Sequence, residues 1–159
     1  AYSRQMLNPQ RDQTATHDTI REVELFLQRY PSSPLLPEAQ ALERVARDRL
    51  SQSEYEIGYF YARFNVCIGA IDRFRGLLIK DPAFTNRDAV YFHMADCLVK
   101  MGNVAEALPW FERILVEFEQ SEYTERAKRR IAEIKAVPPG RPGVAGGSGG
   151  NNPRLTPAR

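Results

Sequence analysis

Three residue pairs recur along this chain at one fixed interval. Gly58 and Ala95, Ala70 and Ala107, and Phe74 and Phe111 are each 37 residues apart. Within each copy a small residue is followed by a second small residue 12 positions on, and by an aromatic 4 positions after that. Two helices that cross closely need small side chains at the crossing, because a larger one would push the axes apart. The aromatic then fills the gap toward the next helix pair. A unit of this kind cannot bury its apolar face alone, so it stacks on its neighbours.

This spacing is the tetratricopeptide pattern. Pro82 follows Phe74 by 8 residues and completes the first copy, whereas Glu119 stands at that place in the second. The interval exceeds the usual repeat of about 34 residues, and the surplus is expected in the loop "DPAFTNRDA". The expected fold is all-α: a tetratricopeptide-like helical-hairpin solenoid with one long helix and a C-terminal capping helix.

The rest of the chain fits this reading. Apolar residues recur every three or four positions, and no period-two strand pattern stands out. A first helix is expected from about Ala15 to Arg29, with Thr14 or Thr16 as N-cap and Ile20, Val23, Phe26 and Leu27 as its apolar stripe. "RYPSSP" stops it, since two close prolines do not continue a helix. A long helix is expected from about Glu38 to Phe64, where no proline interrupts the pattern. Further helices are expected over Val66–Lys80, Arg87–Met101, Val104–Phe118 and Glu122–Ala136. Pro109 falls inside one of them, on the side away from its partner helix, where a bent but continuous helix is expected. The first helix reads as the second half of an earlier repeat, so the chain is expected to begin within a repeat domain.

The expected organisation is an irregular segment over 1–14, a repeat domain over 15–137 truncated at its N-terminal side, and a disordered tail over 138–159. The tail is Pro-, Gly-, Ser- and Asn-rich and has almost nothing to bury. It carries Arg141, Arg154 and Arg159 and no acid, which leaves the body with 19 basic and 20 acidic residues. The overall formal charge of +2 gives no case for nucleic-acid binding. No apolar run reaches membrane-spanning length, and no signal peptide stands at the start. These features fit a cytosolic protein or a mature or truncated chain. Cys67 and Cys97 both lie in apolar helical patterns and read as small buried residues, and spacing leaves a disulfide between them open.

No catalytic constellation is apparent. His17 and His93 lie in different helices without metal-ligand spacing, and His93 reads as an ordinary, partly exposed histidine. The Gly-rich stretch follows no strand, so it is no phosphate loop. No Ser or Cys nucleophile has a placed base. The chain is therefore not expected to be an enzyme, and no cofactor or metal is expected. A binding surface remains. Helix-A positions of a solenoid line its concave face, which places Tyr55, Tyr59, Ala62 and Arg63 there, followed by Phe92, Asp96 and Val99. Aromatic rings beside a few charges suit an extended or helical peptide; packing against neighbouring helices is the alternative for the rings. The run "ERAKRR" on the last helix reads as a solvated face or, alternatively, as a site for an acidic partner.

Several motifs together resemble the BamD family. These are "RDQT" before a helix, "YPSS" after it, "DRL…EYEIGYFY" in the long helix and "AIDRF" in the next; "AVYFHMADCLVKMGNVAEAL" resembles the family's last repeat. Members are helical-repeat lipoproteins of the outer-membrane β-barrel assembly machine. The resemblance implies a non-catalytic scaffold on the periplasmic side of the outer membrane, held there by a lipid anchor that is expected to lie outside this sequence. It implies BamA-like POTRA domains and other assembly-machine lipoproteins as partners, with unfolded outer-membrane protein segments as a further class. It places a partner-contacting arginine at Arg73, on the exposed side of the helix after the long one. The alternative is another peptide-binding helical-repeat adaptor of the cell envelope, acting in division or envelope maintenance. The Gly-rich tail and the "FE" in place of a third "YP" depart from the family pattern.

Overall fold

A computed structural model of the chain describes residues 13–136. The expectations for residues 1–12 and for the tail 138–159 lie outside the described residues. Six helices follow one another: α1 Thr14–Arg29, α2 Leu36–Arg63, α3 Cys67–Lys80, α4 Arg87–Lys100, α5 Val104–Glu117 and α6 Thr124–Ala136. No strand occurs among the described residues. Each helix packs on the next, and α2 also touches α4, which is the stacking of a hairpin solenoid. The all-α tetratricopeptide-like architecture is therefore as the spacing predicted. α2 is the long helix, 28 residues or roughly 42 Å at 1.5 Å per residue.

The repeat residues meet where the pattern places them. Ala70, Phe74, Ala95, Ala107 and Phe111 are all fully buried in one continuous core that runs from α2 to α6. The crossing of α2 and α3 is so tight that a Cβ added at Gly58 would lie 2.6 Å from a carbon of the Phe74 ring. Among the described residues, chain reversals use left-handed backbone twice: Asn65 after α2, with φ 58°, and Gly102 after α4, with φ 84°. Asn and Gly are the residues that accept this region most readily.

The loop before α4 is tied back to α2. Arg44 donates two hydrogen bonds to the Asp81 carboxylate, and the Ser51 hydroxyl donates to it at 2.6 Å. Asp48 accepts from the Thr85 backbone N–H at 3.0 Å and from its hydroxyl at 2.6 Å. Burial alone would raise the Asp81 pKa, but the bonds from Arg44 and Ser51 outweigh it and hold the carboxyl below its ordinary value.

The expected cap of the first helix is corrected. α1 begins at Thr14 with Gln13 at the N-cap and no side-chain capping bond. Thr16 is fully buried within the helix. Asn103 does stand at the α5 N-cap, yet its side chain makes no capping bond; its backbone carbonyl accepts from the Glu106 and Ala107 N–H groups instead. α5 runs unbroken through Pro109, which is exposed. Cys67 and Cys97 are buried, free thiols. Burial, and then the Cys67 thiol beside it, pushes the Cys97 thiol up to about 12, which leaves it unreactive at neutral pH.

Candidate partner-binding site

The helix-A positions of the two repeats lie side by side on α2 and α4, and α6 closes the far end of the channel between them. This creates a groove of about 600 Å³. On one wall, Tyr59 and Arg63 project from α2 with a spacing of four, one turn apart on a single face. On the other, Phe92, His93 and Asp96 come from α4, and Arg126, Arg129, Arg130 and Glu133 come from α6.

The floor is aromatic. The Tyr59 ring lies 4.8 Å from His93, and the Tyr123 ring lies 5.1 Å from Phe92 and 5.6 Å from His93. Tyr55 sits deeper, stacked 5.9 Å from Tyr59 and 6.1 Å from Phe74. Burial, reinforced by neighbouring Tyr123, raises its hydroxyl pKa. His93 is perturbed in the opposite direction: burial, then the Arg126 charge, lowers its pKa to about 4. It is partly exposed, as expected from the sequence, but its environment holds the ring neutral at pH 7.

The rim is charged. Asp96 is shared by Arg130 at 2.7 Å and Lys100 at 3.1 Å, and Arg130 also bonds Glu133 at 2.7 Å. Arg126 stacks over Phe92 at 4.3 Å and Tyr123 at 5.1 Å. Arg63 lies 5.9 Å from the centre of the Tyr59 ring. The run "ERAKRR" is largely solvent-exposed, as expected, and its Arg126, Arg129 and Arg130 line the groove, while Glu125 and Lys128 pair with each other on the outside. A helical spacing of three and four puts those arginines on one side of α6.

The residues singled out in the sequence divide between two places. Tyr59, Arg63, Phe92 and Asp96 line the groove, and Tyr55 supports it from beneath. Phe92 is only 5% exposed, because its faces meet Phe111, Tyr123 and Arg126; it shapes the wall without offering a free ring. Arg73 is elsewhere. It lies in a separate concavity with Tyr61, Gly69, Gly76 and Lys80, which shares no lining residue with the groove. Its side chain is 48% exposed and reaches Glu54 at 3.3 Å. Sequence reasoning did not assign Arg126, Arg129, Arg130 or Lys100 to the groove; the only signal was the one-sided spacing of basic residues on the last helix.

Stacked helical hairpins with a concave, aromatic-floored face define a helical-repeat protein of the tetratricopeptide type. More narrowly, the chain belongs to the YfiO outer membrane lipoprotein family, whose pattern it matches over residues 1–103. It is also similar to the outer membrane protein assembly factor BamD of Caulobacter vibrioides, with 24% identity over 106 residues. That alignment covers 67% of this chain and 35% of the relative, so the chain spans about a third of the relative's length. The family match ends at Asn103, at the start of α5. The α6 wall of the groove therefore lies beyond it.

Proposed function

We propose that the chain is a non-catalytic scaffold of the machine that assembles outer-membrane β-barrels, acting on the periplasmic side of that membrane. In this reading it binds the POTRA region of the barrel subunit through the Arg73 face. A second partner segment, from another assembly-machine lipoprotein or an unfolded barrel protein, occupies the groove of Tyr55, Tyr59, Arg63, Phe92 and Asp96. Family membership and the similarity to an assembly factor support the setting.

The observation that carries the Arg73 half is the state of that guanidinium. It is about half exposed and, among the described residues, has one long ion pair, to Glu54 at 3.3 Å. Exposed pairs of this kind contribute roughly 0–1 kcal/mol, so a partner carboxylate offering two parallel bonds displaces Glu54 at little cost. Gly69 and Gly76 flank Arg73 on α3, and a Cβ at Gly76 would meet nothing within 4 Å, so a partner backbone can approach closely there. Calorimetric titration of the chain with the soluble POTRA region of its barrel subunit tests the reading. Saturable binding is expected; the absence of any binding rejects it.

A further inference from the structure

The groove between α2, α4 and α6 has an excess of positive charge that its own acids do not neutralise. Asp96 and Glu133 are its two carboxylates, and both are held by Arg130, with Lys100 sharing Asp96. Arg63, Arg126 and Arg129 have no carboxylate within ion-pair distance among the described residues. Two of them lie against rings, Arg63 by Tyr59 and Arg126 by Phe92 and Tyr123, contacts that favour these positions without a counter-ion. The Nε of Arg130 is buried and has no hydrogen-bond partner. Buried donors are normally satisfied, and this one lies at the groove wall.

We propose that this groove is the docking site for an extended acidic segment of a partner protein. Its carboxylates meet Arg63, Arg126 and Arg129, and one apolar or aromatic side chain rests on Tyr59 and His93. Charge complementarity selects the occupant. Three unpaired guanidinium groups around a concave site raise the local potential and steer anions into it. Each presents the planar fork that a carboxylate matches with two parallel bonds. The shape favours a chain over a membrane surface, because the cations ring a concave floor of about 600 Å³ that a flat array of headgroups cannot enter. The segment after Ala136 is basic, with Arg141, Arg154 and Arg159 and no acid, so charge opposes it as the occupant. This inference rests on the reading of the groove as a partner site and supplies the partner's chemistry; it is independent of the Arg73 face.

The test uses the whole chain and two fluorescein-labelled peptides, one alternating Glu and Phe and one alternating Gln and Phe, read by anisotropy. The Glu peptide should bind saturably and roughly tenfold or more tighter than the Gln peptide. Its affinity should collapse in about 1 M salt, where the screening length falls to about 3 Å. Arg63→Glu and Arg129→Glu change exposed residues outside the core, and each should weaken it by about tenfold. Arg73→Glu should leave it unchanged, which separates this test from the fate of the POTRA reading. Equal binding of the two peptides, no binding of either, or indifference to both reversals would overturn the proposal. Full displacement of the Glu peptide by phosphatidylglycerol vesicles would also overturn it, by assigning the groove to an anionic membrane.

Discussion

The Phe74 ring lies where a side chain on Gly58 would begin: a Cβ there would sit 2.6 Å from Phe74 Cε1 and 2.9 Å from Cδ1. The ring is fully buried in the core, where close packing resists its displacement. Ordinarily, replacing a glycine within a helix by alanine gains about 1 kcal/mol. Here the overlap should cost about 1–3 kcal/mol and exceed that gain. Gly58→Ala should therefore lower stability in urea denaturation. Gly76→Ala, also helical but with open space at the Cβ position, should raise it by up to about 1 kcal/mol. Two changes of the same sign would show that the crossing does not set the repeat.

Asp81 joins α2 to the loop before α4 through Arg44 and Ser51. Asp81→Asn keeps the shape and removes the charge that Arg44 faces. Hydrogen bonds to charged groups contribute about 1.5–3 kcal/mol each, and Arg44 keeps Asp48 at 3.0 Å as a second partner. A loss of about 2 kcal/mol is expected from the urea midpoint. A change below about 0.5 kcal/mol would mean that the Asp81 charge adds nothing to holding the loop.

His93 gives stability a distinct pH dependence. Its folded pKa is about 4, against about 6.5 in an unfolded chain. Unfolded molecules therefore bind the proton more readily between these values, and stability falls as pH drops through that window; above it, the contribution is complete. The groups facing His93 are the rings of Tyr55, Tyr59, Phe92 and Tyr123 and the charges of Arg126, Asp96 and Lys100. A shift of this size corresponds to at most roughly 3 kcal/mol. Asp81, whose pKa is lowered, loses its contribution only below the ordinary carboxylate range, so the two effects separate. His93→Gln should flatten the thermal midpoint against pH between about 6.5 and 4. An unchanged slope would mean that the ring is solvated.

Pro109 leaves the carbonyl of Ala105 without its helical donor, yet α5 continues through it. Because Pro109 is exposed, Pro109→Ala should restore the bond without disturbing the core and add about 1–3 kcal/mol of stability. A loss of stability would mean that the ring itself packs on something essential.

The fold was legible because its information is local and periodic. Gly58, Ala70 and Phe74 state both the helix spacing and the closeness of the crossing, and the second copy repeats the statement. The groove was only half legible. Tyr59, Arg63 and Asp96 follow from repeat register, since one turn of helix fixes which side chains share a face. The α6 arginines do not, because Arg130 meets Asp96 across 34 residues and no local pattern reports the angle at which a last helix closes a solenoid. Phe92 shows the opposite limit. Register places it correctly on the groove side, but Tyr123 and Arg126 arrive from elsewhere in the chain and cover it.

The most direct test of the scaffold reading is the affinity of the chain for the POTRA region of its barrel subunit, measured calorimetrically for the unaltered protein, Arg73→Glu and Arg126→Glu. Arg73→Glu replaces an exposed guanidinium on the proposed face with a repelling carboxylate, whereas Arg126 lies in the separate groove. The expected result is a loss of about tenfold or more for Arg73→Glu, equivalent to at least about 1.4 kcal/mol, with Arg126→Glu close to the unaltered protein. Equal affinity for Arg73→Glu and the unaltered protein would contradict the account.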